Sequence, residues 1–121
     1  MRFGSKQPSS SSFYNKEVAL NELLTGGGGL STAAITSVSD SASAVDLLVA
    51  NADRKGCVIF NDSTEILYVA LGATATTSAF TYRLVPNATL ELYGEKNYTG
   101  LISGIWANNA AGAARITSVE V

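Results

Sequence analysis

The chain has 121 residues with a formal charge of −2, and 46% of its residues are hydrophobic while only 15% are charged. A chain of this length suits one small domain, because two independent cores would each bury too little surface to be stable. It has no histidine and one cysteine. These side chains do most of the proton transfer near neutral pH, zinc binding and nucleophilic chemistry in proteins, so we expect no enzyme, no catalytic residues, no cofactor and no metal site.

The charge and hydropathy also disfavour two classes of partner. A slightly acidic chain offers no general attraction to nucleic-acid phosphates or to anionic lipids. No apolar run reaches the roughly 18 residues that a transmembrane helix needs, and the first residues lack the apolar stretch of a secretory signal. We therefore expect no nucleic-acid partner, no membrane partner and synthesis in the cytoplasm.

Residues 1–29 predict an N-terminal arm that ends in a glycine-rich linker. Serines fill residues 9–12 after Gly4 and Pro8, a composition too poor in apolar side chains to fold alone. Residues 13–24 have the spacing of a short amphipathic helix, and the glycines at 26–29 end any helix and form a joint. The domain boundary is predicted there, followed by a β-domain over residues 30–121.

The arm is the part of the chain predicted to bind a partner. Its bases precede the first acidic residue, Glu17, so a basic arm is followed by an acidic body. Such an arm suits docking on an acidic surface of a partner or sister subunit, although the same charges also fit a polar tail without a role. The residues predicted to contact a partner are Arg2, Phe3, Lys6, Phe13, Tyr14, Lys16, Leu20, Leu23 and Leu24.

After Leu30 the sequence changes to short apolar runs separated by turn residues, which is typical of a sandwich or barrel. The turn signals recur too often for long helices between strands, so an antiparallel arrangement is favoured. The predicted fold is all-β, a jelly-roll-like antiparallel β-sandwich of about eight strands. The predicted strands are residues 33–39, 45–50, 56–61, 66–72, 80–85, 89–93, 100–106 and 113–121.

Few side chains in these runs suggest a catalytic or binding role. Glu91 and Glu95 could be considered as an acid/base pair, but Glu91 alternates with apolar neighbours as an outward strand residue does. The charged residues 53–55 predict a solvated loop, with an intersubunit ion pair as the alternative. Cys57 and Trp106 lie in apolar runs, so we expect a buried thiol and an indole at the core or an interface.

Turns and edges complete the predicted sandwich. Residues 61–64 and 86–87 carry the Asn, Asp, Ser and Pro side chains of tight turns. The first strand, residues 33–39, has no charge and is predicted to be an unprotected edge that pairs with another chain. Arg115, Glu120 and Pro86 are the predicted edge protectors.

Four segments carry a resemblance to a known class of proteins. They are residues 56–73, 80–86, 98–106 and 112–117, with the sequences GCVIFNDSTEILYVALGA, FTYRLVP, YTGLISGIW and GAARIT. Over residues 45–121 this style of strands and turns resembles the small β-sandwich virion proteins of tailed bacteriophages. The resemblance implies a non-enzymatic component of the particle, either a capsid decoration (cement) protein or a small neck or tail protein.

The resemblance and the arm together predict a virion structural protein made in the cytoplasm of a host bacterium. The leading expectation is a decoration protein that binds the major capsid protein of the assembled shell through its sandwich and its arm, and so stabilises the shell. The alternative is a tail or neck component that binds a receptor or carbohydrate, since five tyrosines and one tryptophan offer rings for sugar stacking. A homo-oligomer, dimer or trimer, is also expected.

Overall fold

The computed structural model describes residues 29–121, which form eight β-strands and one turn of 3₁₀ helix at Gly94–Lys96. All eight predicted strands are present, and their ends lie within two residues of the predicted ends. The predicted arm, including the helix over residues 13–24, lies outside the described residues. The strands are β1 Thr32–Ser39, β2 Val45–Leu48, β3 Gly56–Asp62, β4 Leu67–Leu71, β5 Tyr82–Leu84, β6 Thr89–Tyr93, β7 Ile102–Trp106 and β8 Ala113–Glu120.

The strands form two four-stranded sheets, ordered β1-β8-β3-β6 and β2-β7-β4-β5. Every neighbouring pair of strands is antiparallel. Each connection crosses from one sheet to the other except the one between β4 and β5, which are neighbours in the second sheet. This is the strand order of a jelly roll. The predicted all-β antiparallel sandwich is confirmed.

Alternation along the strands fills the space between the sheets with apolar side chains. Trp106 is fully buried, and its Nε1–H donates a hydrogen bond to Oδ1 of Asn61 at 3.1 Å. The predictions of a buried Cys57 and a core Trp106 are confirmed. The buried cluster consists of Leu47, Cys57, Ile59, Leu67, Val69, Leu84, Leu90, Leu92, Ile102, Trp106, Ala114 and Ile116.

The connections gather at two ends of the sandwich, because consecutive antiparallel strands alternate in direction. We call the end with residues 40–44, 63–66, 85–88 and 107–112 the pocket end, and the end with residues 49–55, 72–81 and 94–101 the clamp end. Backbone hydrogen bonds join the connections at each end. Asp40 bonds to Gly112 at the pocket end, and Asn51 bonds to Thr99 at the clamp end.

The turn predicted over residues 61–64 begins later than predicted. β3 continues through Asp62, and Asn61 is fully buried. Its side-chain amide donates to the carbonyl oxygens of Glu65 and Leu84 at 2.8 and 2.9 Å, while its oxygen accepts from Trp106. The side chain of Asn61 therefore satisfies polar groups in the core, so the turn begins at Ser63.

The turn predicted at residues 86–87 is confirmed. Ala88 N–H donates to the carbonyl oxygen of Val85 at 3.0 Å, and Asn87 between them has φ of 68°. Proline at the second position and a left-handed Asn at the third position are the features of a type II turn. This turn brings Pro86 and Asn87 to the pocket end.

The edges of the first sheet are β1 and β6, so β1 is an edge strand as predicted. The prediction that Arg115 and Glu120 protect an edge is wrong, because β8 lies between β1 and β3. Long-range pairing decides strand order, and no charge pattern within β8 reveals it. Within residues 29–121, no helix has the length and apolar character to cross a membrane.

Candidate interaction surface

β1 is the most exposed strand of the sandwich. Seven of its eight residues are exposed, and only Val38 is half-buried. Ile35 at its centre is 78% exposed, the highest value among the exposed large apolar residues in the described part of the chain. β1 pairs with β8 over its whole length, and no other strand of residues 29–121 lies along its second side. This strand therefore offers both an edge and exposed side chains.

The free edge of β1 presents the backbone groups of alternate residues. Asp40 N–H donates to the carbonyl oxygen of Gly112 at 3.0 Å, in line with the register that pairs β1 with β8. Hydrogen-bonded and non-hydrogen-bonded pairs alternate in an antiparallel ladder, so the even-numbered residues of β1 bond to β8. The N–H and C=O groups of Ala33, Ile35 and Ser37 therefore point to the free edge.

The first sheet also has a partly apolar face directed away from the second sheet. Cys57 and Ile59 point into the core, so alternation turns Val58 and Phe60 outward. Cross-strand register places side chains of β1, β6 and β8 beside them. We call this set the outer face, and it consists of Ala33, Ile35, Val58, Phe60, Tyr93 and Val119, all half-buried or exposed.

Tyr93 is placed on the outer face by a glycine. Gly56 lies directly opposite Tyr93 in the ladder between β3 and β6. A Cβ atom at Gly56 would lie 2.1 Å from Cδ1 of the Tyr93 ring, closer than any real contact. Glycine at this position therefore allows the ring to approach the sheet backbone, where it remains 40% exposed.

Polar side chains lie among the apolar residues of the outer face, because Arg115 of β8 is opposite Phe60 of β3. Arg115 Nε lies 2.9 Å from Oδ2 of Asp62, and Arg115 Nη1 donates to Ser37 Oγ at 3.0 Å. Glu91 of β6 is exposed between two buried leucines, which confirms its predicted outward position. The outer face therefore mixes apolar and polar side chains, as many protein interfaces do.

Asp40 holds the pocket end together. Its Oδ2 accepts hydrogen bonds from Ser63 Oγ at 2.8 Å and from Gly112 N–H at 3.1 Å, and its Oδ1 accepts from Ala110 N–H at 3.1 Å. Burial acts to raise the pKa of Asp40, but the hydrogen bonds from Ser63, Ala110 and Gly112 outweigh it and hold the pKa below its ordinary value. One carboxylate thus connects three loops.

An open pocket of about 380 Å³ lies beside this network. Its lining is about equally polar and apolar and contains no aromatic side chain among the residues that the structure describes, so it lacks the rings on which sugars stack. The lining residues are Asp62, Ser63, Thr64, Pro86, Asn87, Ala111 and Gly112.

Arg54 holds the clamp end together. The prediction of a solvated loop is right for Asp53 and Lys55 but wrong for Arg54, which is 1% exposed. Its guanidinium donates to the carbonyl oxygens of Val49 at 3.1 Å, of Tyr98 at 3.1 and 2.8 Å, and of Gly100 at 2.7 Å. Because Arg54 lies inside the fold, it is unsuited to the intersubunit ion pair given as the alternative.

The second sheet carries an aromatic pair on its outer side. The rings of Tyr68 and Phe80 have centroids 4.8 Å apart and are tilted by 56°. Phe80 is 40% exposed. Tyr68 lies opposite Arg83 in the ladder between β4 and β5. The half-buried Tyr68 and the exposed Phe80 form a surface on which a sugar could stack.

The sequence analysis did not identify the roles of two residues that organise the ends of the sandwich: Asp40 was not singled out, and Arg54 was predicted to lie in a solvated loop. Asp40 follows β1 in a segment rich in serine, and this Asx-turn signal could have indicated a role. Arg54 lies between charged residues, and its acceptors Tyr98 and Gly100 are more than 40 residues away, so no local signal reveals its burial.

The predicted partner-binding residues of the arm lie outside the described residues. Within residues 29–121, no group of three or more acidic or cysteine side chains is arranged to hold a metal ion. Burial raises the pKa of the Cys57 thiol above its ordinary value, and the charge of Arg54 opposes this effect only in part. Comparison with protein-family models, with curated proteins and with solved structures gives no match.

Proposed function

We propose that the protein is a non-enzymatic structural protein of a bacteriophage virion, a capsid decoration (cement) protein that binds the assembled shell. The outer face carries this proposal. It presents Ile35, Phe60 and Tyr93 on a rigid sheet, and the buried cluster on the opposite side of that sheet holds its shape. The resemblance of residues 45–121 to small virion proteins supplies the biological setting.

A sheet face is well suited to adhesion. Its backbone is fixed by the hydrogen bonds of four strands, so docking needs no ordering of the main chain in the sheet. The apolar side chains of the outer face would be removed from water against major capsid subunits, and the Arg115–Asp62 pair beside them would orient the contact. The basic arm would add contact area on a neighbouring acidic surface. Binding across a junction between subunits would stabilise the shell, because a protein that binds only the assembled form shifts the equilibrium towards assembly.

The test is binding of the purified full chain to shells that lack it. Tyr93→Glu places a charge among the apolar side chains of the outer face and should weaken binding by about tenfold or more, because an unpaired charge would be buried in the contact. Thr77→Glu adds the same charge to an exposed residue of the β4–β5 connection and should bind as the unchanged protein does. Cosedimentation over a concentration series measures both.

Two results would contradict the proposal. One is equal binding of Tyr93→Glu and the unchanged protein to shells. The other is the absence of the protein from most of the shell, because a decoration protein is present in many copies over the shell. Labelling of intact particles that finds it only at one vertex or along the tail would favour the neck or tail alternative.

That alternative, a module that binds a receptor or carbohydrate, is favoured by one observation, the contact of Tyr68 with the exposed ring of Phe80. Rings at this position could stack on the apolar face of a sugar. Glycan binding by the unchanged protein that is lost in Phe80→Ala, with shell binding absent, would replace the decoration proposal.

A further inference from the structure

We propose that two copies of this chain pair through the free edges of β1, so that their first sheets join into one continuous antiparallel sheet. This inference goes beyond the proposed function because it concerns the edge of the sheet and its backbone groups, whereas shell binding concerns the outer face. The partner is a second copy of the same strand, related by a two-fold axis.

Within residues 29–121, the edge has no charge, proline or bulge that would prevent strands from pairing. β1 contains no charged residue and no proline, and its register with β8 continues without a bulge from one end to the other. Soluble proteins protect exposed edges with such features. An eight-residue edge of regular geometry is therefore open to a further strand.

The same strand is complementary to itself. Ala33, Ile35 and Ser37 present donors and acceptors at every second residue, and antiparallel pairing joins groups with this spacing. Pairing about an axis at Thr36 would place Ile35 of each copy opposite Ser37 of the other. No charges meet along the strands, since residues 32–39 are all uncharged. Exposure on both faces of β1 leaves space for the side chains of the added strand.

Backbone amide exchange on the full chain tests the pairing without any substitution. The amides of Ala34, Thr36 and Val38 face β8 and should be protected at every protein concentration. Those of Ala33, Ile35 and Ser37 should exchange quickly in dilute solution and about tenfold more slowly, or slower still, as the concentration rises. Sedimentation should show a mass that rises from 12.5 kDa to twice that value over the same range.

Ile35→Pro removes a donor at the free edge but none from the ladder with β8, so it should fold and remain monomeric. Ile35→Ala keeps that donor and should still form the dimer. Three results would overturn the inference. They are a monomer at high concentration, a dimer that persists in folded Ile35→Pro, and protection of Ala33, Ile35 and Ser37 at all concentrations with a monomeric mass, which would mean that the same chain covers the edge. If Ile35→Pro does not fold, the exchange experiment decides.

Discussion

β3 and β1 belong to the same sheet, yet their side chains have opposite surroundings. Ile59 of β3 is fully buried between two neighbouring strands, whereas Ile35 of β1 is 78% exposed and has one neighbouring strand. The contrast shows that core packing explains β3, while β1 is held mainly by its ladder with β8. Substitutions in the core of β3 should therefore change the free energy of unfolding, whereas substitutions in β1 should change association with other chains.

The largest expected effect on the free energy of unfolding is in the core. Trp106→Ala should lower it by about 3 to 5 kcal/mol, because it leaves a cavity beside β3 and removes the donor to Asn61. Trp106→Phe keeps most of the ring and should cost less, although it also leaves Asn61 Oδ1 without its partner. Denaturant unfolding measures both values. An unchanged midpoint for Trp106→Ala would contradict the buried position.

The next effect is at the clamp end. Arg54→Met keeps the length of the side chain but leaves the carbonyl oxygens of Val49, Tyr98 and Gly100 without donors, and should cost about 1 to 3 kcal/mol. Lys55→Met is the matched control, because Lys55 is exposed, and it should change the value by less than about 0.5 kcal/mol. Equal unfolding midpoints for the two variants would show that the Arg54 contacts contribute nothing.

The third effect depends on pH and concerns the pocket end. The pKa of Asp40 in the folded protein lies below its ordinary value of 3.8, so the ionised carboxylate favours folding. This contribution is fully present above pH 3.8 and is lost as the pH falls below 3.8 through the folded pKa. Asp40→Asn should therefore lower the unfolding midpoint at neutral pH, and the difference from the unchanged protein should shrink in acid.

Asp46→Asn provides the control for this pH dependence. Asp46 is exposed on β2, and its replacement also removes one negative charge, but at a site outside the loop network. The midpoint of this variant should follow that of the unchanged protein at each pH. A difference for Asp40→Asn that stays constant from neutral pH to acid would contradict a role of the ionised carboxylate.

The strands were predictable from the sequence because their signals are local. Residues 89–93 alternate between polar and apolar side chains, and the structure has the same bounds for β6. Strand order was less accessible, since the position of β8 between β1 and β3 depends on pairing between distant residues. For the same reason the prediction that Arg54 lies in a solvated loop was wrong.

The candidate surface was predictable only in part. The uncharged sequence of residues 33–39 indicated the edge, and the structure confirms it. The outer face needed the register, because only the alignment of three ladders shows that Ile35, Val58 and Tyr93 lie on the same face of the sheet. The predicted contacts of the arm stay a prediction.

The smallest expected effect on folding is in β1, and it sharpens the comparison with β3 because the same residue type can be changed in both strands. Ile35→Ala should alter the free energy of unfolding by less than about 0.5 kcal/mol in dilute solution, since most of the side chain is already in water. Ile59→Ala should cost about 2 to 5 kcal/mol, because the missing atoms leave a cavity in the core. Both are measured by denaturant unfolding at a concentration where sedimentation shows the monomer. A large loss of stability for Ile35→Ala under these conditions would mean that another part of the same chain covers β1, and its free edge would then not be available to a second copy.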